Sequence, residues 1–292
     1  MKRISALAIL LALLVCLYGC GAQKEYSQIA ATTLPVYEFT ARLCEGTGIS
    51  VTRLVTESVS CLHDYSLSVR QVKAVEAAEL VVISGAGLEE FLHDLLHGAT
   101  AIDASEGLAL LGCNEAHDHD HGHEHHHDED PHLWLSPTYA KAMAANICKG
   151  LKAQYPTHSN TFAQNLAVLL SDLDALQSYG ENQLADLSSR ELITFHDGFS
   201  YFADSFGLEI LRSVEEESGS EASASELKEL ILLVRDHSLS AIFTEVNGSV
   251  SAAGIIAAET GTKVFTLSMA MGDTDYFEAM YQNIDTLKEA LG

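Results

Sequence analysis

Two blocks of alternating strand and helix patterns fix what this chain can fold into. In the first block, short β-rich runs alternate with stretches whose apolar residues recur every three or four positions. It reads as strand Ile29–Thr33, helix Val36–Cys44, strand Ile49–Thr56, helix Ser66–Ala78, strand Leu80–Ser84, helix Glu89–Leu96 closed by Gly98, and strand Ala101–Asp103. The second block reads as strand Glu191–Phe195, helix Phe199–Phe206, strand Leu208–Val214, helix Ser225–His237, strand Ala241–Glu245, helix Ser249–Thr260, strand Lys263–Leu267 and helix Tyr276–Leu291. Repeated strand–helix–strand units of this length imply mainly parallel sheets flanked by helices. The expectation is an α/β protein of two similar lobes.

Between the blocks the pattern changes. Residues 113–130 hold seven histidines, seven acids and no large apolar side chain, so burial offers nothing to offset the entropy of ordering them. Two helical patterns follow, one from Pro137 to about Gln154 and one from about Ser159 to Leu187. The second, with Phe162, Leu166, Leu169, Leu170, Leu173 and Leu176 on its apolar stripe, would run roughly 40 Å. We read it as a rigid rod between the lobes, with Gly180 as the point where it would bend. The expected division is a leader over 1–19, a tether over 20–28, an N-terminal lobe over 29–157 carrying the histidine-rich loop, a linking helix over 158–188, and a C-terminal lobe over 189–292. A ligand cleft is expected between the lobes, at the carboxyl ends of the strands.

The N-terminus reads as an export signal: Lys2 and Arg3 precede an apolar run from Ile4 to Leu17, too short for a membrane span. Leu17-Tyr18-Gly19-Cys20 resembles the lipobox of bacterial lipoproteins, although Tyr18 is bulky for its place. That resemblance implies that Cys20 is lipidated and anchors the chain, through a polar tether with Gln23, Lys24 and Glu25, at the outer face of the cytoplasmic membrane or in the periplasm. Without the leader's two cations, 14 basic residues face 41 acids, a formal charge of −27. Such a surface excludes nucleic acid and anionic lipid head groups as partners and suits a protein that concentrates cations. Cys44, Cys61, Cys113 and Cys148 remain after Cys16 and Cys20 are set aside; one disulfide is compatible with an exported chain, and three pairings are open.

Three histidines stand apart from the rich segment, each just after a strand or at a loop–helix junction. They are His63 in Cys61-Leu62-His63-Asp64-Tyr65-Ser66, His132 in Asp130-Pro131-His132-Leu133-Trp134, and His196 in Phe195-His196-Asp197-Gly198. Two come from one lobe and one from the other, so they can meet in the cleft. Neutral imidazole suits Zn²⁺, whereas Mn²⁺ prefers carboxylate and water. Asp64 and Asp197, next in sequence to two of the histidines, could orient the rings. In the rich segment His117, His119, His121, His123, His125, His126 and His127 can chelate a divalent ion weakly and exchange it fast. They read as an antenna that gathers Zn²⁺ or senses sufficiency.

From about residue 29 to the C-terminus the chain resembles the zinc-specific solute-binding proteins of bacterial ABC importers, a group that also contains manganese-binding and adhesin-type lipoproteins. His63-Asp64-Tyr65-Ser66-Leu67 is similar to the family's first ligand loop. Asp130-Pro131-His132-Leu133-Trp134-Leu135-Ser136-Pro137 is similar to the second and is the most specific signal, and Phe195-His196-Asp197 with Tyr201-Phe202 is similar to the third. The resemblance implies two α/β lobes fixed by a long helix, Zn²⁺ as the ion carried, and an ABC permease as partner of a monomeric, membrane-anchored binding protein. Manganese-binding members usually have glutamate where His196 stands. The chain departs from the family pattern at Leu62, at Val69 in place of a common proline, and at Ser268, where many members have a ligand aspartate. The fourth ligand is therefore open among Glu245, Ser268 and water.

Two other functions fit the same residues. One is a surface adhesin or extracellular zinc buffer, which the fold cannot separate from transport. The other is a zinc hydrolase, since three histidines and a water also describe catalytic zinc; none of the helical patterns carries a His-Glu-x-x-His spacing, and there is no nucleophile elbow to favour it. The expectation is a binding protein, not an enzyme.

Overall fold

Each half of the chain builds a four-stranded sheet in which every pairing is parallel. The computed structural model describes residues 26–57, 62, 65–112, 129–214, 222–246, 250–272 and 274–292. The leader, Cys20, Cys61, His63, Asp64, Cys113 and the histidines from His117 to His127 lie outside the described residues.

The N-terminal half runs β1 (Ile29–Ala31), α1 (Leu34–Leu43), β2 (Val51–Arg53), α2 (Val69–Ala77), β3 (Leu80–Ile83), a 3₁₀ turn (Glu90–Leu92), the short α3 (His93–Leu96) and β4 (Ala101–Asp103). A second 3₁₀ turn (Leu133–Leu135) leads into α4 (Pro137–Gln154), and α5 (Ser159–Gln183) follows. The C-terminal half runs β5 (Glu191–Thr194), α6 (Ser200–Phe206), β6 (Glu209–Ser213), α7 (Ala224–Asp236), β7 (Ala241–Glu245), α8 (Ser251–Thr260), β8 (Lys263–Leu267) and α9 (Tyr276–Leu291). The strand orders, β2-β1-β3-β4 and β6-β5-β7-β8, are the same in both halves. In each, the chain first steps outward and then crosses back, so the direction of winding reverses between β1 and β3 and again between β5 and β7. Those two gaps are where a crevice opens at the strand ends.

The elements fall where the sequence patterns place them: β4, β7 and β8 match their expected spans, the other strands are shorter by one to three residues at an end, and the long helix stops at Gln183 rather than Leu187. Helix α2 starts three residues later than its periodicity suggests because Ser68 caps it. The Ser68 hydroxyl accepts from the backbone N–H of Gln71, and the Gln71 side chain accepts from the backbone N–H of Ser68. Val69 is thus the first helical residue, a position where the missing N–H of a proline would cost nothing. Helix α5 is continuous over 25 residues, about 37 Å. Gly180 lies inside it and serves close packing: a Cβ there would sit 2.2 Å from Cε1 of Phe206.

A single apolar core runs through both halves. Phe39, Trp134, Met143, Phe162, Leu173, Phe202, Leu267, Met269, Tyr276 and Leu287 all belong to it and are nearly or fully buried. Two smaller clusters back the outer faces of the sheets, one around Leu54, Val75, Val81 and Leu92, the other around Ile193, Leu230, Ile242 and Ile256. Polar contacts stitch the halves together. The Trp134 indole N–H donates to the carbonyl of Met269 at 2.8 Å, and the Tyr276 hydroxyl to the carbonyl of Trp134 at 2.7 Å. Arg53 at the end of β2 donates to the carbonyls of Met271 (2.8 Å) and Gly272 (3.0 Å). Cys44 and Cys148 are buried free thiols within the core, both pushed above their ordinary pKa by burial, Cys44 to about 12. Among the described residues no helix is long and apolar enough to cross a membrane.

Candidate metal centre

His196 follows β5 by two residues and Glu245 is the last residue of β7, so the winding reversal of the C-terminal sheet places both at adjacent strand ends. Glu245 is 8 % exposed, and its Oε2 lies 3.9 Å from Nδ1 of His196. Two donors bound to one tetrahedral zinc at about 2.0–2.1 Å stand about 3.3 Å apart, so this pair is within a small rotation of sharing an ion.

His132 approaches His196 from the other half. It directly precedes the 3₁₀ turn Leu133–Leu135, whose three residues are fully buried, and is itself only 2 % exposed. The His132 and His196 ring centres are 5.2 Å apart with planes at 82°. Imidazoles sharing a tetrahedral ion through nitrogens at about 2.0–2.1 Å have ring centres about 5 Å apart. The separation matches that arrangement.

The His132 ring is held by Asp130. One carboxylate oxygen, Oδ1, accepts from the backbone N–H of His132 at 2.9 Å and from Nδ1 of the ring at 2.8 Å. Burial of Asp130 opposes its charge, but the side chain, charge and backbone N–H of His132, with the Ser200 side chain, outweigh it and hold the carboxyl below its ordinary pKa. An ionised carboxylate only accepts, so Nδ1 carries the proton and Nε2 keeps its lone pair for a metal.

Gly198 makes room for both rings. A Cβ on it would stand 2.9 Å from Nδ1 of His132, 2.8 Å from Cδ2 of His196 and 2.6 Å from Cε of Met269. Only glycine allows the backbone this close.

The remaining sequence candidates separate. Ser268 spends its polar groups on the chain: its hydroxyl accepts from the N–H of Ala270 at 3.1 Å, and its backbone N–H and carbonyl pair with the Asn283 amide. Asp197, 8 % exposed, accepts from the Ser213 hydroxyl at 3.1 Å, and the carboxylate found beside His196 is Glu245. His63 and Asp64 lie outside the described residues. Their flanks are anchored: Leu62 is 1 % exposed, the N–H of Tyr65 bonds the carbonyl of Leu62 at 3.1 Å, and the Tyr65 hydroxyl donates to Glu57 at 2.7 Å. The histidine-rich segment also lies outside the described residues, but an antiparallel bridge between Gly112 and Glu129 closes its base, one residue before Asp130.

Sequence reasoning missed two contributors. Asp130 was legible only as part of a motif, although its place two residues before a histidine is the spacing at which a carboxylate can turn back onto the following N–H. Gly198 carries no signal in sequence beyond being a glycine beside a histidine.

Comparison with known proteins gives the chain a family. The family described as "Zinc-uptake complex component A periplasmic" matches residues 29–290. The zinc-binding lipoprotein AdcA of Streptococcus pneumoniae is 32 % identical over 308 aligned residues, covering 99 % of this chain and 61 % of AdcA, so this chain spans less than two thirds of that relative. The high-affinity zinc uptake system protein ZnuA of Bacillus subtilis is 28 % identical, with 99 % of this chain and 98 % of that protein covered. Among solved structures, the laminin-binding adhesin Lmb of Streptococcus agalactiae superposes with a TM-score of 0.79 at 25 % identity, over 91 % of this chain and all of that one. The Zn(II)-bound ZnuA-like domain of Streptococcus pneumoniae AdcA superposes with a TM-score of 0.76 at 26 % identity, over 91 % and 99 %. The chain belongs to the family of the periplasmic A component of zinc-uptake complexes.

Proposed function

We propose that this protein captures Zn²⁺ outside the cytoplasmic membrane and delivers it to an ABC-type importer, with His63, His132, His196 and Glu245 as ligands. The observation that carries the ligand set is the His132–His196 pair, 5.2 Å between centres, with the Glu245 carboxylate 3.9 Å from His196. Three imidazoles, with His63 as the third, and one carboxylate would form a four-coordinate set suited to zinc, and the single negative charge would offset half of the dication's. Ser268 is a poor fourth ligand because its hydroxyl is already engaged.

A binding role fits better than hydrolysis. Catalytic zinc needs an open position with a base beside it, and here the nearest carboxylate completes the ion's own shell. Cys20 would hold the chain at the membrane by lipid, and the protein would act as a monomer docking on a permease. The segment with His117, His119, His121, His123, His125, His126 and His127 would supply weak, fast-exchanging sites, and its closed base returns the chain close to His132. The likeness to the Lmb adhesin supports one second reading, an added role in binding a host matrix protein. Laminin binding that persists in the importer-deficient strain would establish that role separately.

The direct test is calorimetry of the mature chain with Zn²⁺ against a competing chelator. One tight site per chain is expected, lost when His63, His132 and His196 are together replaced by alanine. Tight binding undiminished in that variant overturns the assignment.

A further inference from the structure

A second group of metal-binding side chains lies on the surface of the N-terminal lobe. His93 and His97 are four residues apart at the short helix α3, on the stretch Glu90-Phe91-Leu92-His93-Asp94-Leu95-Leu96-His97. Spacing by four puts two side chains one above the other on one helix face. Their ring centres are 4.5 Å apart with planes at 81°. The Asp94 carboxylate lies 3.4 Å from Nδ1 of His93, and one donor atom from each of the three residues falls within 4.8 Å of the others. All three side chains are exposed.

The backbone beneath them is fixed. Leu92 is fully buried, Leu95 and Leu96 pack on the same outer cluster, and Phe91 stacks edge-on against Tyr65 at 5.1 Å. One residue before the 3₁₀ turn, Glu89 is buried and accepts from the Thr32 hydroxyl (2.6 Å) and from the backbone N–H groups of Ser84 (2.7 Å) and Gly85 (3.0 Å). The apolar residues therefore commit this stretch to one orientation, leaving His93, Asp94 and His97 on the outward side. A pair of imidazoles already facing each other loses little rotamer freedom on chelation.

We propose that His93, His97 and Asp94 form a second, solvent-facing site for a borderline-soft divalent cation, Zn²⁺ in the first instance. Two imidazoles and a carboxylate would bind the ion, with water in the remaining positions, so it would exchange readily and be held more weakly than in the cleft. The site sits on α3, directly after the 3₁₀ turn whose Phe91 packs against Tyr65, on the outer face of the N-terminal lobe, where it would retain cations at the protein surface.

The site can be isolated from the cleft. A variant carrying His132→Ala and His196→Ala, with residues 113–128 replaced by a short glycine–serine linker, removes the other imidazole groups discussed above except His63. Zn²⁺ titration of that background should still show one weak equivalent. Adding His93→Ala and His97→Ala should abolish it; an unchanged titration overturns the proposal. Because that background has no intact cleft site, the result is independent of the central assignment. A second readout uses the unaltered full chain: Zn²⁺ added beyond the first equivalent should slow diethylpyrocarbonate labelling of His93 and His97, read peptide by peptide, and equal labelling rates overturn the proposal.

Discussion

Gly198 lies so close to His132 that a Cβ on the glycine would stand 2.9 Å from the ring's Nδ1. The same Cβ would crowd His196 and Met269, so any side chain here must move at least one imidazole. Gly198→Ala should weaken Zn²⁺ binding by roughly 10–100-fold, the range seen when ring orientation is lost. The apo melting temperature should change far less. Chelator competition measures the first and thermal denaturation the second; unchanged affinity would show that the rings have slack.

Asp130→Asn keeps the shape but loses the charge that holds the proton on Nδ1 of His132. Zinc affinity should fall by roughly 10–100-fold. The Asp197→Asn variant, whose carboxylate accepts from the Ser213 hydroxyl, is the comparison, and the loss should be larger for Asp130→Asn, whose carboxylate holds both the ring and the backbone N–H of His132. Parallel titrations of the two variants decide it, and equal losses would contradict that ranking.

Glu245→Gln and Ser268→Ala separate the two protein candidates for the fourth ligand. The first should lower affinity by at least tenfold, since it removes an anionic donor from the ion. The second should leave affinity unchanged and cost about 0.5–1.5 kcal/mol of stability through the lost bond to Ala270. The reverse outcome would move the ligand to Ser268.

Glu38 gives the fold a pH dependence away from the metal. It accepts from the backbone N–H of Tyr276 across the lobe junction at 3.1 Å. Burial, then the neighbouring Asp275, pushes its carboxyl up to about 7, although the Tyr276 N–H and Arg53 pull the other way. The folded state therefore keeps a proton that the unfolded chain releases, and stability falls as pH rises from the ordinary glutamate range towards 7, then levels off. Glu38→Gln should flatten this slope. Apo unfolding followed between pH 5 and 8 tests it, and parallel curves for the two proteins would refute it.

Glu89→Ala should be among the more damaging single changes outside the cleft. It strands two backbone N–H groups and the Thr32 hydroxyl in a buried place. A loss of roughly 2–4 kcal/mol is expected from orphaning several donors at once. Urea denaturation measures it directly.

Much of this was legible in the chain. The Ile29–Asp103 and Glu191–Leu291 blocks carry their strand and helix periods openly, because the central strands β1, β3, β5 and β7, buried along almost their whole length, and helices with one apolar stripe leave different spacings. His132 and His196 were legible as a pair because each sits where a strand or a turn hands over to a helix. Asp130 was not, because attention to the residue after each histidine selects Asp64 and Asp197, whereas the bond to His132 is made backwards through a turn. The core shared by Trp134, Met269 and Tyr276 was also hidden: periodicity tells which side of a helix is apolar, not which distant element covers it.

That shared core has a mechanical meaning. With Phe162 and Leu173 of the long helix packed among side chains from both sheets, the two halves cannot swing like the shells of a clam without opening a wide apolar gap. Grip and release must then be settled at the rim, by turns a few residues long resting on a stiff chassis. A transporter that draws back a single rim loop would take one donor from the cation and could unload it while the body beneath stays still.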